Sequence, residues 1–246
     1  MRASGLWLIL SAAALAPLPA AAAQPSPVAA GAPTLAFKHA PAFDRKALRL
    51  SLPGRSLRTL AGRIGIAAGG GLLETATSVT RAQDEASLGD AGMIRFRILG
   101  PTAEQTPLSD GEMLQQVGLR LRVRDTCNVL FVMWATTPRE HIRVVLKTHP
   151  DMARFADCGA GGYTQVADFD RASYGFRSAL QGGESSLAVR IVDDRFIRIY
   201  LNDGSAPLAI VDARANATLE SFLTTIRGHT GVRSDNLRLS FELAVD

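Results

Sequence analysis

Arginine side chains recur at every second position in short segments of this sequence. The guanidinium group keeps its charge at any physiological pH and binds a carboxylate or a sulfate through two parallel hydrogen bonds. Because alternate residues of a β-strand share a face, the arginines of one segment point the same way. If the segments are neighbours in one sheet, the arginines form a basic patch suited to an acidic polysaccharide or another anionic envelope component. The six candidate ligand-binding residues are Arg95, Arg97, Arg120, Arg122, Arg124 and Arg143.

The other interpretation of these arginines is a solvated surface with interspersed acids and no ligand. Few aromatic residues accompany them in the sequence, so no sugar-stacking platform is evident, and Trp134, Phe196 and Tyr200 are the only candidates. The formal net charge of the chain is +4, which is too small to indicate nucleic acid as the partner. The residue types therefore indicate a class of ligand without naming it.

Short β-strands are the elements that must position these side chains. From residue 93 onward, apolar residues such as Ile94 and Phe96 alternate with polar ones, and the segment 128–135 is almost continuously apolar, as in a strand buried on both faces. A hairpin turn is predicted at Asn202-Asp203-Gly204, with the glycine accepting a positive φ. Such strands, separated by Gly, Pro and Asp turns, predict an all-β antiparallel sandwich. The segments are MIRFRIL, VGLRLRVRD, NVLFVMWA, HIRVVLK, SLAVRIVD, FIRIYL and NLRLSFELAV.

The N-terminal residues predict export. Arg2 precedes an apolar stretch, and four alanines end at Ala23, so residues 1–23 are interpreted as a cleaved signal peptide and the mature protein as periplasmic or secreted. No later stretch is long enough to span a bilayer. Residues 24–34 are predicted to be a flexible leader. The segment 35–69 is poorly defined, with a short helix predicted over 56–64.

Two cysteines, Cys127 and Cys158, follow the predicted signal peptide. In an oxidising compartment an even pair is most simply a disulfide, and the chain-entropy estimate gives it about 3–4 kcal/mol of stabilisation. Neither cysteine lies in a metal-ligand spacing, and the sequence contains no other metal motif. Calcium could use the loop oxygens of Asp193-Asp194 and Asn202-Asp203, but no repeated acidic motif supplies the six to eight oxygens that it needs. No metal and no cofactor are predicted.

The order of the segments over residues 70–246 resembles the laminin-G-like, concanavalin A-like jelly-roll domains of bacteria. The resemblance implies a jelly-roll β-sandwich for this stretch, and it implies a glycan as the kind of ligand that relatives handle. Known members include glycosidases, keto-glycoside hydrolases, polysaccharide lyases and binding modules. The segments that carry it are GGLLETATSV, AGMIRFRILG, VGLRLRVRDTCNVLFVMWA, HIRVVLKTH, SLAVRIVDDRFIRIYLNDGSAPLAIVDA and HTGVRSDNLRLSFELAV.

Catalytic signatures are missing from the chain. A glycosidase needs two carboxylates flanking one bond; Asp168 and Asp170 have a suitable spacing, but the surrounding residues predict a loop. A lyase needs a base and a group that neutralises a uronate; His141, Tyr163 and Tyr174 are candidates, yet the lyase motifs RSEL and QIH are absent. The sequence therefore favours a non-catalytic binding module for a glycan or envelope component, with a glycan-active enzyme as the alternative.

These two functions predict different clefts. A histidine with a carboxylate, or two carboxylates, on the ligand-binding sheet would favour the enzyme. A cleft lined by arginine, serine and asparagine would favour binding.

Overall fold

Two antiparallel β-sheets packed face to face form the part of the chain that the computed structural model describes, residues 43–53, 55–67, 72–108 and 111–246. The predicted signal peptide, the predicted leader and the first residues of the segment 35–69 lie outside these ranges. No helix in the described ranges is both long and apolar enough to cross a membrane.

The strands of the described residues are numbered here in chain order. They are β1 (Arg49–Leu50), β2 (Leu57–Ala61), β3 (Ile64–Ile66), β4 (Leu73–Thr75), β5 (Val79–Asp84), β6 (Ala91–Pro101), β7 (Gln116–Val123), β8 (Val129–Ala135), β9 (His141–Lys147), β10 (Tyr163–Asp170), β11 (Ser185–Val192), β12 (Phe196–Leu201), β13 (Ala209–Asp212), β14 (His229–Asp235) and β15 (Leu237–Val245). The helices are α1 (Phe155–Cys158), α2 (Arg171–Tyr174) and α3 (Ala217–Thr225), with 3-10 turns at Arg45–Ala47 and Ala213–Ala215.

The chain passes repeatedly from one sheet to the other. The eight-stranded sheet has the order β13-β12-β11-β6-β15-β4-β3, with β1 paired to β15, and the seven-stranded sheet has the order β10-β9-β8-β7-β14-β5-β2. Neighbouring pairs within both sheets are antiparallel, as in the contact of β8 with β9. The predicted fold class, an antiparallel jelly-roll β-sandwich, is confirmed.

The core lies between the inner faces of the two sheets. Trp134 is fully buried there and meets the rings of Phe96 and Phe176 edge to face, at centroid distances of 5.7 and 5.6 Å. Residues predicted to face inward, such as Ile94 and Leu119, are fully buried as well. Strand β8 is buried along its whole length, which confirms that it is a central strand.

The helix predicted over 56–64 is wrong, because that stretch forms β2 and β3. Pairing of β2 with β5 outweighs the weak helical spacing of the apolar residues. The same region is held by Asp84, whose carboxylate accepts from Arg49 at 2.6 and 3.0 Å and from Ser56 at 2.6 Å. Burial opposes the Asp84 charge, yet these hydrogen bonds hold the pKa of the carboxyl well below its usual range.

The predicted hairpin at residues 196–213 is present, with a different turn. Strands β12 and β13 pair as expected, but Asn202 and Asp203 carry the positive φ angles, 50° and 63°, rather than Gly204. Short polar side chains tolerate this left-handed region. The predicted disulfide between Cys127 and Cys158 is also present.

Candidate ligand-binding face

The six predicted arginines do not form one patch, because their strands are not neighbours in one sheet. Strand β6 carries Arg95 and Arg97 in the eight-stranded sheet. Strands β7 and β9 carry Arg120 and Arg143 in the seven-stranded sheet, and Arg124 follows the end of β7. The sequence interpretation requires a single sheet, and that requirement is not met.

Arg122 leaves the outer face altogether. Opposite β14, strand β7 has a bulge just before its end, and Arg122 there has a φ of 48°. A bulge places an extra residue in one strand and redirects its side chains. As a result, Arg122 is 1% exposed and binds Asp90 at 2.6 Å and Asp194 at 2.5 Å. Arg122 joins the end of this sheet to the β11–β12 turn, and Asp194, a calcium candidate in the sequence, is used for that ion pair.

The other predicted arginines have ordinary partners at or near the surface. Arg97 is exposed, and Arg95 lies 3.6 Å from Asp203. Arg124 binds the neighbouring carboxylate of Asp125 at 3.0 Å. Arg143 lies 3.2 Å from the carboxylate of Glu112.

Arg120 instead lies in a cluster of cations on the outer face of the seven-stranded sheet. Arg81 on β5 is paired with Arg233 on β14, and Arg120 on β7 is diagonal to Arg233 because it stands opposite Gly231. Arg233 in turn stands opposite Gly118. We call Arg81, Arg120 and Arg233 the arginine cluster.

The arginine cluster is buried without enough negative charge to balance it. Arg120 is 3% exposed, and its Nε and Nη1 atoms have no hydrogen-bond partner in the described part of the chain; the same is true of Arg81 Nε. Burial, followed by repulsion from the other two guanidinium groups, lowers the pKa of Arg120 to about 9. Burial and the charge of Arg233 lower the pKa of Arg81 as well. All three remain cationic at neutral pH, which leaves donors of hydrogen bonds unused.

Asp235 is the carboxylate that contacts the arginine cluster. It is fully buried, and its Oδ2 atom accepts from Arg233 Nε at 2.7 Å and from Gln116 Nε2 at 2.8 Å. Burial works against the Arg233 charge, but attraction to Asp235 and this hydrogen bond raise the pKa of Arg233. The carboxylate of Asp235 therefore accepts a hydrogen bond from one of the three guanidinium groups, that of Arg233.

Aromatic rings flank the arginine cluster. Phe131 on β8 lies under Arg233, with the guanidinium carbon 5.2 Å from the ring centroid, and it stacks with Tyr163 on β10 at 6.2 Å. Tyr163 also contributes to the raised pKa of Arg233. Lys147 Nζ lies 5.0 Å from the Tyr163 ring and 4.8 Å from the Phe155 ring. Burial and the charges of Arg81 and Arg233 lower the pKa of Lys147.

A histidine and two carboxylates lie further along the same face. Asp168 and Asp170 are in strand β10, not in the loop that the sequence predicts, and Arg139 binds each of them at 2.8 Å. His141 Nδ1 is 2.9 Å from the Arg139 carbonyl oxygen, and Nε2 is 3.8 Å from Asp168 Oδ2. Burial lowers the pKa of His141, so the ring is neutral at pH 7.

The outer face of the eight-stranded sheet has a shallow depression of about 220 Å³. It is lined in part by Arg45, Arg95 and Glu242. The two arginines both reach the carboxylate of Asp203, at 2.6 and 3.6 Å. Arg95 Nε is buried without a hydrogen-bond partner among the described residues, but both guanidinium groups here reach a carboxylate. The arginine cluster, with one carboxylate for three guanidinium groups, is therefore the better candidate for a ligand site.

The sequence interpretation includes Arg120 but misses most of this site. Arg81 and Arg233 stand alone in their strands, without the alternation that marks the other arginines. Tyr163 appears there only as a lyase candidate, and Phe155 precedes the second cysteine without a recognisable pattern. The strand order from β5 through β14, β7, β8 and β9 to β10 brings the arginines and Tyr163 to one face, and α1 adds Phe155.

Comparisons with known proteins give distant structural similarities, all with TM-scores below 0.5 among those described here. No family model matches the chain, and no curated protein matches it. A mutant of the GH43 protein BlXynB from Bacillus licheniformis is 12% identical with a TM-score of 0.48, over 82% of this chain and 39% of that one. SCLam, a non-specific endo-beta-1,3(4)-glucanase from family GH16, is 8% identical with a TM-score of 0.44, over 83% and 86%. The exoplasmic/lumenal domain of VIP36 is 13% identical with a TM-score of 0.41, over 76% and 82%.

The chain thus spans 39% of the length of the GH43 protein that it matches. At these scores the similarity says nothing about function. The two antiparallel sheets of the structure themselves confirm the β-sandwich that the resemblance implies.

Proposed function

We propose that this protein is an exported, non-catalytic binding module for an anionic chain, an acidic polysaccharide or another anionic envelope component. The observation that carries the proposal is the buried guanidinium group of Arg120, with two nitrogen atoms unpartnered beside Arg81 and Arg233. Unsatisfied buried donors and unbalanced buried charge cost free energy. A carboxylate or sulfate placed among the three groups relieves both costs.

The surroundings of the arginine cluster support a ligand that comes from solvent. Arg81 is partly exposed and Tyr163 is exposed beside the arginine cluster, whereas Arg120 is buried. The disulfide is consistent with export, because such bonds persist in oxidising compartments.

Binding of matched polymers to two matched variants tests the proposal. Isothermal calorimetry would measure polygalacturonate, heparin and neutral dextran binding to the native protein, to Arg120→Gln and to Arg97→Gln. Both variants lose one positive charge, but Arg97 is exposed on the other sheet. We expect both acidic polymers to bind and dextran not to bind. A hydrogen bond to a charged group contributes about 1.5–3 kcal/mol, so Arg120→Gln should weaken binding about tenfold to a hundredfold.

Two results would overturn the proposal. One is that neither acidic polymer binds the folded native protein. The other is that Arg97→Gln weakens binding as much as Arg120→Gln, which would indicate non-specific attraction to a basic surface. Circular dichroism of each variant confirms that the sandwich is folded.

The enzymatic alternative is favoured by one observation, the neutral His141 beside Asp168 on the same face. A neutral imidazole can accept a proton from a substrate. The ring is buried, however, and the charge of Arg139 pairs with the carboxylates of both Asp168 and Asp170, which leaves Asp168 Oδ1 without a hydrogen-bond partner among the described residues. Incubation with polygalacturonate followed by a reducing-end assay tests this function. Cleavage that disappears in His141→Gln would establish it.

A further inference from the structure

The side chain of Tyr163 lies across the outer face of the seven-stranded sheet. Tyr163 begins β10, at the edge of the sheet, and stands opposite Lys147 on β9. Its ring reaches past β9 and stacks with Phe131 on β8, with a centroid distance of 6.2 Å and an angle of 29° between the ring planes. Phe131 in turn stands opposite Arg120 on β7. The ring of Tyr163 therefore approaches the arginine cluster, although its backbone lies at the edge of the sheet.

The electrostatics of the arginine cluster agree with this position of the ring. Tyr163 raises the pKa of Arg81, Arg120 and Arg233. Because electrostatic interactions weaken with distance, the hydroxyl end of the ring is close to all three guanidinium groups. Arg120 is nonetheless buried with two nitrogen atoms unpartnered among the described residues. The ring thus helps to separate Arg120 from solvent without satisfying its donors.

Tyr163 is held less firmly than the rings of the core. It is 38% exposed, whereas Trp134 is fully buried between the sheets. The first three residues of β10 are exposed, and a register shift between Gln165 and Ala167 separates them from the rest of the strand. Exposed side chains change rotamer within picoseconds to nanoseconds, so the ring can leave its place without disturbing the core.

The backbone just before Tyr163 is anchored. Gly159 and Gly162 have positive φ angles of 53° and 77°, which glycine adopts without strain. Lys147 Nζ donates to the carbonyl oxygen of Gly159 at 2.8 Å, and the disulfide fixes Cys158. Since the turn into β10 is fixed, rotation of the Tyr163 side chain is the simplest way to uncover the arginine cluster.

We propose that Tyr163 is a gate on the arginine cluster, whose ring covers Arg120 in the free protein and swings aside when an anion enters. The open position gives the anion access to Nε and Nη1 of Arg120. Because only the open state binds, the closed ring lowers the apparent affinity in proportion to the population of the open state. This inference rests on the proposed function, and it adds the residue that regulates access to the site.

Chemical labelling of arginine tests the gate without a ligand. Phenylglyoxal modifies accessible guanidinium groups, and tandem mass spectrometry locates the label in the native protein, Tyr163→Ala, Tyr163→Phe and Tyr174→Ala. Tyr174 is the matched control, because it is also 38% exposed and its ring packs on Phe169, beyond the other end of β10. We expect Tyr163→Ala to label Arg120 at least about fivefold faster, since labelling also requires the open state. The other two variants keep the ring and should label like the native protein.

Arg122 is the internal reference for this experiment. It lies next but one to Arg120, is fully buried and is paired with Asp90 and Asp194, so its labelling should not change in any variant. An unchanged rate at Arg120 in Tyr163→Ala would overturn the gate. A parallel rise at Arg122, or an equal rise in Tyr174→Ala, would overturn it as well, because either would indicate a general loosening of the sandwich.

Heparin binding to the same variants separates this inference from the proposed function. We expect calorimetry to show that Tyr163→Ala binds heparin more tightly than the native protein does. Weaker binding would make Tyr163 a ligand contact and would overturn the gate. Faster labelling of Arg120 without any heparin binding would overturn the proposed function alone, and heparin binding without faster labelling would overturn the gate alone. Circular dichroism confirms folding, and Tyr163→Ser replaces Tyr163→Ala if that variant does not fold.

Discussion

The outer faces of the two sheets both carry arginines, and their charge balance differs. On the eight-stranded sheet, Arg45 and Arg95 share the carboxylate of Asp203 at a partly exposed position, and Arg95 has one buried nitrogen without a partner, Nε. On the seven-stranded sheet, Arg120 is 3% exposed and has donors without partners. Spacing in the sequence therefore does not by itself identify an arginine as a binding residue. We propose Arg120 as a binding residue because it is buried without a compensating charge, and a ligand there would relieve a cost already present in the fold.

The energetics of the two faces differ for the same reason. A surface ion pair contributes about 0–1 kcal/mol, because water already solvates both charges. A buried cation without a partner lacks that solvation and destabilises the free protein. Substitutions on the two faces should therefore have different effects, and the following predictions are ordered by the size of that difference.

The largest expected effect is at Arg122, which the bulge moves away from the outer face. Arg122→Leu leaves Asp90 and Asp194 without their shared partner and removes the hydrogen bonds to the carbonyl oxygens of Leu223 and Ile226. We expect a loss of about 3–5 kcal/mol in the free energy of unfolding, measured by urea denaturation. Arg97→Leu on the other sheet should change it by less than about 0.5 kcal/mol. Equal losses would mean that the burial of Arg122 has no energetic consequence.

The second largest expected effect on the free energy of unfolding comes from the disulfide, and it should be concentrated near the seven-stranded sheet. Cys127→Ala with Cys158→Ala should lower the free energy of unfolding by about 3–4 kcal/mol. The bond anchors helix α1, which ends at Cys158, to Cys127. Without that anchor, proteolysis of the native state should begin within residues 148–162. Limited digestion followed by mass spectrometry measures the site. First cleavage in the eight-stranded sheet would contradict the assignment of the bond to this face.

A smaller effect of opposite sign is expected at Arg120. Arg120→Met keeps most of the side-chain volume and removes a buried charge that repels Arg81 and Arg233, so the free protein should gain about 1–2 kcal/mol in the free energy of unfolding. The matched change Arg95→Met on the eight-stranded sheet should be near zero. Denaturation in the absence of ligand measures both. A loss of stability in Arg120→Met would show that the cluster already has the partners it needs, and the comparison of the two faces would fail.

The smallest effect is a dependence on pH. Because burial lowers the pKa of His141 in the folded state, the unfolded chain takes up a proton first as pH falls below about 6.5. The contribution of His141 is therefore fully present above pH 6.5 and is lost as pH falls through the lower folded-state value. The urea midpoint should drop between pH 7 and pH 5, and His141→Gln should reduce this drop. An unchanged drop in His141→Gln would assign it to carboxylates elsewhere.

The fold could be predicted because apolar and polar residues alternate regularly within its strands. Alternation of apolar and polar residues in β6, β7 and β9 marks their inner faces correctly, and the unbroken apolar run of β8 marks its burial on both sides. The stretch 56–64 misleads because its apolar spacing fits a helix weakly, and the pairing of β2 with β5 decides the outcome. Pairing between distant segments leaves no signal in a short window of sequence.

The sequence alone predicts the all-β fold, the pairing of Cys127 with Cys158 and the direction in which most side chains of each strand point. The tertiary structure was needed to show which arginines meet and which of them lack partners. Arg81 and Arg233 come from opposite ends of the sandwich sequence and become neighbours through the pairing of β5 with β14. The period of a strand fixes a face, but charge balance depends on every element packed against that face. For that reason the alternating arginines could be recognised in the sequence, whereas the buried arginine cluster could be recognised only in the folded sheet.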